Sequence, residues 1–187
     1  ACVRILRRDA EQLGYPSAFS IYDQADATRL TGYVVRDLGL DNKKFVARSV
    51  HAQISNLKNE LISTDAALDR ADGIFGRKIA EIYDEYQRRL RSAGAMDFDD
   101  LLTVTVQLFD NFPNALSHYQ ERFQHVLVDA YQDTNPAQHD IVLKLGDKHR
   151  NVFVVGDSDQ SVYAFRGADI RNILEFEKAF PDTGVVV

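Results

Sequence analysis

The chain has 187 residues, of which 45% are hydrophobic and 27% are charged, and its formal net charge at pH 7 is −6. This composition is typical of a globular protein and argues against one that coats nucleic acid through bulk positive charge. No apolar run is long enough to span a membrane, no secretory signal opens the sequence, and the single Cys2 excludes an internal disulfide and suits a reducing cytosol.

The first segment, residues 1–13, has the apolar spacing of a helix, which Gly14 is expected to end. Arg4 and Arg8 lie four residues apart and therefore on one side of this helix. From charge alone, the simpler explanation for these two arginines is a solvated helix face.

Helical periodicity continues from about residue 20 to residue 95, and this stretch has no strand pattern. Asp23 is a good N-cap for the first of its helices. The sequence predicts helices over residues 23–38, 49–61 and 63–90. Arg88, Arg89 and Arg91 form a second basic cluster near the end of the last helix, again best explained by a solvated face.

An acidic segment, M-D-F-D-D-L-L, opens the next helix. Asp97 can cap a helix that runs through Leu108, and Asp99 and Asp100 then lie in its first turn, where the helix dipole favours negative charge. Capping explains these acids completely, so a structural role is preferred to a catalytic one.

Two short β-branched runs follow, and an aspartate comes at the end of each. Residues 126–128 precede Asp129, and residues 152–155 lead to Asp157. Such runs predict buried strands, and ligands of open α/β sheets bind at the carboxyl ends of the strands. Two neighbouring strands that both deliver carboxylates there predict a site for phosphate and metal.

Helices are predicted around these strands as well. One is predicted over residues 112–123, with Pro113 in its first turn, and Thr134 or Asn135 can cap another that runs from Pro136 to about Lys148. A further helix is predicted over residues 168–180. The apolar residues 184–187 suggest the beginning of a third strand.

Both strand-end segments resemble motifs of one enzyme family. V-D-A-Y-Q-D-T-N, residues 128–135, resembles the Walker B motif (motif II) of superfamily 1 DNA helicases of the UvrD/PcrA/Rep group. V-V-G-D-S-D-Q-S-V-Y-A-F-R-G-A-D-I, residues 154–170, resembles motif III of the same group. The family has glutamate after the first aspartate of motif II, whereas this chain has Ala130.

This resemblance implies an α/β fold, namely a partial RecA-like P-loop NTPase sheet with a large all-helical inserted subdomain. It assigns residues 1–19 to the first RecA-like core domain, 20–112 to the inserted, DNA-facing helical subdomain, and 113–187 to the resumed core domain. The G-x-x-x-x-G-K-[ST] phosphate loop of such enzymes is expected before residue 1, and a second RecA-like domain after Val187.

The resemblance also implies roles for individual residues. Asp129 would hold Mg²⁺, and position 130 would carry the residue that activates the attacking water. Gln132 and Gln160 would contact the nucleotide. The residues implied in binding DNA are Tyr163, Phe165, Arg166, Arg4 and Arg8.

The implied activity is that of an ATP-dependent helicase that moves 3′ to 5′ on single-stranded DNA, with ATP and Mg²⁺ as cofactors. Its substrates would be single strands and single-strand/duplex junctions in DNA repair or replication, in the bacterial cytosol or nucleoid and without a membrane partner. Repair or transcription proteins are further candidate partners. Because Ala130 cannot accept a proton, severe loss of hydrolysis with nucleotide binding spared is expected.

Two alternatives stay open. One is a noncatalytic module that binds DNA or a protein partner, which Ala130 and the missing phosphate loop favour. The other is a metal-dependent phosphohydrolase built on residues 156–159, which leaves the long flanking matches unexplained. The five histidines show no ligand spacing and are assigned no role.

Overall fold

The computed structural model describes residues 1–157 and 171–187. The chain divides into two compact units, Ala1–Thr105 and Val106–Val187. Each unit combines helices with one pair of parallel strands, so the predicted α/β class is confirmed. The three-part domain division, with an inserted helical subdomain, stays a prediction. No helix in the described ranges is long and apolar enough to cross a membrane.

The first unit is built mainly from helices. They are α1 (Cys2–Asp9) with a 3₁₀ turn at Ala10–Leu13, α2 (Gln24–Asp37), α3 (Ala47–Asn59), α4 (Thr64–Arg70) and α5 (Gly73–Ser92). Asp23 caps α2 as predicted, because its carboxylate accepts the Asp26 N–H at 2.9 Å. The largest core of this unit contains the fully buried residues Val34, Ile54, Ile82, Tyr86 and Leu90.

The single helix predicted from residue 63 to residue 90 is wrong, since two helices occupy this range. Ser63 caps α4, and α5 begins anew at Gly73. Gly73 has a φ of +68°, in the left-handed region that favours glycine, and this conformation interrupts the helical path.

The prediction that the stretch from residue 20 to residue 95 contains no strand is also wrong. Strand β1 (Ser20–Tyr22) pairs in parallel with β2 (Ala95–Asp97). Three residues are too few to produce a readable alternation in the sequence. This pairing places Asp97 at the end of β2, directly before α6 (Phe98–Asn111), which begins in the first unit and ends in the second.

The second unit continues with α7 (Pro113–Arg122), β3 (Val126–Val128), a 3₁₀ turn at Tyr131–Asp133, α8 (Pro136–Gly146), β4 (Val152–Val154) and α9 (Arg171–Ala179). Strands β3 and β4 are parallel neighbours, as the two apolar runs predicted. The side-chain oxygen Oδ1 of Asn135 accepts the Gln138 N–H at 2.8 Å and so caps α8.

One face of the β3–β4 pair carries the core of this unit. Val126, Val128, Val152 and Val154 pack with Tyr131, Val142, Phe176 and Phe180. The opposite face is open in the described structure, where Leu127 is 74% exposed and Phe153 63% exposed. Successive side chains alternate across a strand, so within the described residues the predicted burial is confirmed for one face of the pair and not for the other. Residues 184–187 form no strand.

The contact between α8 and β4 makes Gly146 a sensitive position. A Cβ at Gly146 would lie 2.2 Å from Cγ2 of Val152, a stiff β-branched side chain. We expect Gly146→Ala to lower the free energy of unfolding by about 1–3 kcal/mol, as overpacking does. Urea denaturation followed by circular dichroism measures this effect.

Gly76, inside α5, is the matched control, because a Cβ there would meet nothing within 4 Å. Gly76→Ala is expected to stabilise the chain by up to about 1 kcal/mol, since alanine loses less entropy in a helix. Equal effects of the two substitutions would contradict the packing of α8 on β4.

Candidate functional site

The parallel pairing of β3 and β4 brings two acids to one edge of the strand pair. Asp129 comes directly after β3, and Asp157 comes shortly after β4. Both residues are exposed, and Oδ1 of Asp129 accepts the N–H of Ala130 at 2.8 Å. Carboxylate oxygens at such an edge are suited to Mg²⁺ and to a phosphate-bearing ligand.

Ala130 has an unusual backbone conformation. Its φ and ψ are 50° and 47°, in the left-handed region, which costs a residue with a Cβ about 1–2 kcal/mol. The following residue is tied to the end of β4, because the Tyr131 N–H donates to the Val155 carbonyl at 2.8 Å. The exposed methyl group of Ala130 offers neither a proton acceptor nor a metal ligand.

Gln132 connects the two strand ends. It is 6% exposed, and its Oε1 accepts the N–H of Asp157 at 3.1 Å. A Cβ at Gly156 would lie 3.1 Å from Ile173 Cδ1, which is a tight contact, but its 3.4 Å distance from Gln132 Oε1 would be an ordinary one. Gln132 is thus a buried residue that links the turn after β3 to the segment after β4. Its contact with a nucleotide stays a prediction.

A buried polar network lies behind the turn, and sequence analysis missed it. The Tyr131 hydroxyl is 2.6 Å from His139 Nδ1, and the Asn172 amide donates to the Thr134 carbonyl at 2.8 Å. Burial raises the pKa of Tyr131 and lowers the pKa of His139, so both side chains are neutral at pH 7. The spacing of these residues along the chain gives no signal of their contact.

The remaining predicted site residues form two groups, one outside the described residues and one on α1. Gln160, Tyr163, Phe165 and Arg166 lie outside the described residues. Arg4 and Arg8 are exposed on α1 of the first unit, and Arg8 Nη1 is 3.8 Å from the Asp9 carboxylate.

Comparison with known proteins decides the family. A family model described as UvrD/REP helicase N-terminal domain matches residues 1–181. The chain belongs to the UvrD/REP helicase family. Its motif II and motif III segments therefore resemble those of its own family, as the sequence predicted.

Individual UvrD/REP relatives are similar over the whole chain. The ATP-dependent DNA helicase UvrD1 of Mycobacterium tuberculosis is 50% identical over an alignment that covers 100% of this chain and 26% of the relative. The ATP-dependent DNA helicase PcrA of Bacillus subtilis is 45% identical, covering 100% of this chain and 25% of the relative. PcrA of Staphylococcus aureus is 46% identical over 99% of this chain. The chain thus spans about a quarter of these relatives' length.

Two members of the second arginine cluster of this UvrD/REP chain form ion pairs, whereas Arg91 donates to the Leu13 carbonyl. Arg88 pairs with Asp84 at 2.7 Å and with Glu85, and Arg89 pairs with Asp37 at 2.8 Å. These paired, partly solvated side chains agree with the simpler explanation of the cluster.

A buried charge cluster surrounds the start of α6. Lys58 on α3 is 2% exposed, and its Nζ lies 2.8 Å from Asp97 Oδ2 and 2.9 Å from Asp100 Oδ1. Asp97 Oδ1 also accepts the Asp100 N–H at 2.8 Å, which bears out the predicted capping role. The Tyr86 hydroxyl donates to Asp97 Oδ2 at 2.7 Å. Sequence analysis did not foresee Lys58 as the partner of these acids.

His51, Asp97 and Asp99 have ligand atoms within 4.8 Å of one another, which raises the question of a metal site. However, protein donors already contact these atoms: Lys58 and Tyr86 donate to Asp97, and Asn59 Nδ2 donates to Asp99 Oδ1 at 3.2 Å. A metal cation would also be repelled by the neighbouring ammonium group. We therefore assign His51, Asp97 and Asp99 a structural role.

In the buried cluster of Lys58, Asp97 and Asp100, the pKa values of the two carboxyl groups shift in opposite directions. Burial and the charge of Asp97 raise the pKa of Asp100 from 3.8 to about 6. Burial also opposes ionisation of Asp97, but the charge and hydrogen bond of Lys58 bring its pKa below the usual value. At pH 7 the cluster thus holds two carboxylates around one ammonium group.

The raised pKa of Asp100 predicts a pH dependence of stability. Because the folded chain binds the Asp100 proton more tightly than the unfolded chain, this group's contribution is fully present below about pH 4 and is lost as the pH rises through about 6. The free energy of unfolding of the unsubstituted chain, minus that of Asp100→Asn, should fall by roughly 2–3 kcal/mol between pH 4 and pH 7. Urea denaturation at a series of pH values measures the difference.

Asp69→Asn is the control, since Asp69 is an exposed acid on α4. Its difference from the unsubstituted chain should change little across the same pH range. A difference between the unsubstituted chain and Asp100→Asn that stays constant from pH 4 to pH 7 would contradict the assignment of a buried, proton-binding carboxyl group at position 100.

Proposed function

We propose that the parent protein of this chain is an ATP-dependent DNA helicase that translocates 3′ to 5′ and acts in DNA repair or replication. The observation that carries the proposal is the exposed Asp129 beside position 130, at the shared edge of two parallel strands and within motif II. Family membership and relatives named ATP-dependent DNA helicases support it. In a bacterial cell such a protein works in the cytosol, where the nucleoid DNA lies.

Asp129 is proposed to hold Mg²⁺ together with the phosphates of ATP. The fit is chemical, since the site offers a hard, exposed carboxylate, and Mg²⁺ in proteins prefers one or two carboxylates with substrate oxygens and water. When bound, Mg²⁺ neutralises charge on the phosphate oxygens. The Ala130 N–H fixes one oxygen of Asp129, and the other oxygen can then face the ligand.

Position 130 is proposed to be the place of the residue that orients and deprotonates the attacking water. With Ala130 this function is lost, while the groups that bind the nucleotide are kept. The chain as it stands is therefore proposed to support nucleotide binding in the parent protein with severely reduced hydrolysis. We further propose that Gln132 and Gln160 report the state of the nucleotide.

DNA contacts are proposed for two sets of residues. Tyr163 and Phe165 would stack on bases, and Arg166 would bind phosphate. Arg4 and Arg8 are proposed to contact the DNA backbone, which their exposure on α1 permits. Single-strand/duplex junctions are the proposed substrates, with repair or transcription proteins as further partners.

The direction of movement can be tested with the complete parent protein carrying glutamate at position 130. Streptavidin is bound to a biotin at either end of a single-stranded DNA, and its ATP-dependent displacement is measured. A 3′-to-5′ translocase displaces streptavidin from the 5′ end much faster than from the 3′ end. Equal rates, or faster displacement from the 3′ end, would overturn the proposed direction.

A noncatalytic binding module is the second candidate, favoured by the single observation that Ala130 occupies the catalytic position. It predicts tight binding of single-stranded DNA with no increase in ATP hydrolysis when glutamate is introduced. A metal-dependent phosphohydrolase on residues 156–159 has no support from the family comparison.

A further inference from the structure

Helix α9 contacts the turn that follows Asp129 through Asn172. This residue is the second of α9 and is 3% exposed. Its amide Nδ2 donates to the Thr134 carbonyl at 2.8 Å and lies 3.3 Å from Thr134 Oγ1. Because the group is buried, loss of this donor would leave the Thr134 carbonyl without that partner in a site that excludes water.

Thr134 in turn closes the turn that begins at position 130. Its hydroxyl donates to the Tyr131 carbonyl at 2.7 Å, and its N–H donates to the same carbonyl at 3.1 Å. The Asp133 N–H donates to the Ala130 carbonyl at 2.9 Å. Asn172 thus secures one end of a hydrogen-bonded turn, and the catalytic position lies at the other end.

The same face of α9 makes two further ties to the turn. The Phe176 ring packs edge-on against Tyr131, with the ring centres 5.6 Å apart. Glu175 lies 3.7 Å from His139 Nε2, while His139 Nδ1 contacts the Tyr131 hydroxyl. Residues 172, 175 and 176 are three and four positions apart, so they share one side of the helix.

The conformation of Ala130 explains why such support is needed. A residue with a Cβ at φ 50° is strained, and a strained backbone conformation is kept only where several surrounding contacts hold it. The contacts from α9 contribute to this constraint, together with the hydrogen bond from the Tyr131 N–H to the Val155 carbonyl.

We infer that Asn172 is a positioning residue for hydrolysis: by holding the turn from Ala130 to Thr134, it fixes the direction in which a side chain at position 130 points. This inference rests on the proposed function of that position. Because Asn172 is 3% exposed and its amide donates to Thr134, its substitution should affect kcat and spare KM.

The test uses the complete parent protein with glutamate at position 130. Asn172→Ala should lower kcat for DNA-stimulated ATP hydrolysis about ten-fold or more, with KM for ATP changed less than about two-fold, because small misplacements of a catalytic group are costly. Leu174→Ala is the matched control, since Leu174 is on the same helix and 61% exposed. It should leave kcat unchanged.

Asn172→Asp separates positioning from a general loss of structure. An ionised carboxylate cannot donate to Thr134, whereas a protonated carboxyl group can. The kcat of Asn172→Asp should therefore recover relative to that of Asn172→Ala as the pH falls. Equal kcat for Asn172→Ala and Leu174→Ala, or parallel pH profiles for the two Asn172 variants, would overturn the inference.

Hydrogen exchange provides a readout that does not depend on activity. In the protein with Ala130, the Asp133 and Thr134 amides should exchange faster in Asn172→Ala than in Leu174→Ala. If glutamate at position 130 gives no hydrolysis at all, the proposed function fails, and this measurement still decides whether Asn172 holds the turn. Unchanged exchange of these amides would refute its role.

Discussion

Replacing Ala130 with glutamate in the complete parent protein is expected to raise kcat for DNA-stimulated ATP hydrolysis about 10²- to 10⁴-fold, the usual contribution of a positioned general base. KM for ATP should change little, because the missing interaction is made in the transition state. The measurement is steady-state ATP hydrolysis at saturating single-stranded DNA.

The local structure around position 130 can accept the glutamate side chain. Ala130 is exposed, so a longer side chain meets no packed core. Alanine and glutamate both carry a Cβ, and the substitution therefore adds no new backbone restriction at φ 50°. Asp129 lies directly beside it, with one carboxylate oxygen held by the N–H of residue 130.

Ala130→Gln is the matched control, since glutamine has the size of glutamate but cannot accept a proton from water at neutral pH. It should bind ATP like the glutamate variant and hydrolyse it like the alanine form. If glutamate and glutamine give the same low rate, position 130 is not the base, and the noncatalytic interpretation takes its place.

Replacing Lys58 with methionine should strongly destabilise the first unit. Lys58 is 2% exposed and compensates Asp97 and Asp100 at 2.8 and 2.9 Å. Methionine matches its length but leaves two buried carboxyl groups without their cation. Breaking a buried ion pair from one side costs about 3–5 kcal/mol, which urea denaturation measures.

Lys78→Met is the control for Lys58→Met. Lys78 pairs with Glu81 at 2.9 Å, but both side chains are more than a third exposed, so its loss should cost no more than about 0.5 kcal/mol. The penalty for Lys58→Met should also shrink as the pH falls and the carboxylates become protonated. Similar penalties for the two substitutions at pH 7 would contradict a buried charge cluster.

The local signals in the sequence determined much of this protein. Capping by Asp23 and Asn135 and the strand-end position of Asp129 follow from residues close together in the chain. The motif around Asp129 is a local signal too, and it indicated the family correctly. These features depend on backbone dihedrals and short-range hydrogen bonds, which a few neighbouring residues specify.

Only the tertiary structure decided the contacts that join distant segments. Lys58 and Asp97 are 39 residues apart, and Asn172 and Thr134 are 38 apart. Each of these side chains taken alone has an ordinary local explanation, as a surface lysine, a helix cap or a polar helix residue. Burial gives them their partners, and burial is set by how helices and strands pack. The exposed outer face of β3 and β4 and the break before α5 likewise depend on packing and on backbone conformation that apolar spacing does not encode.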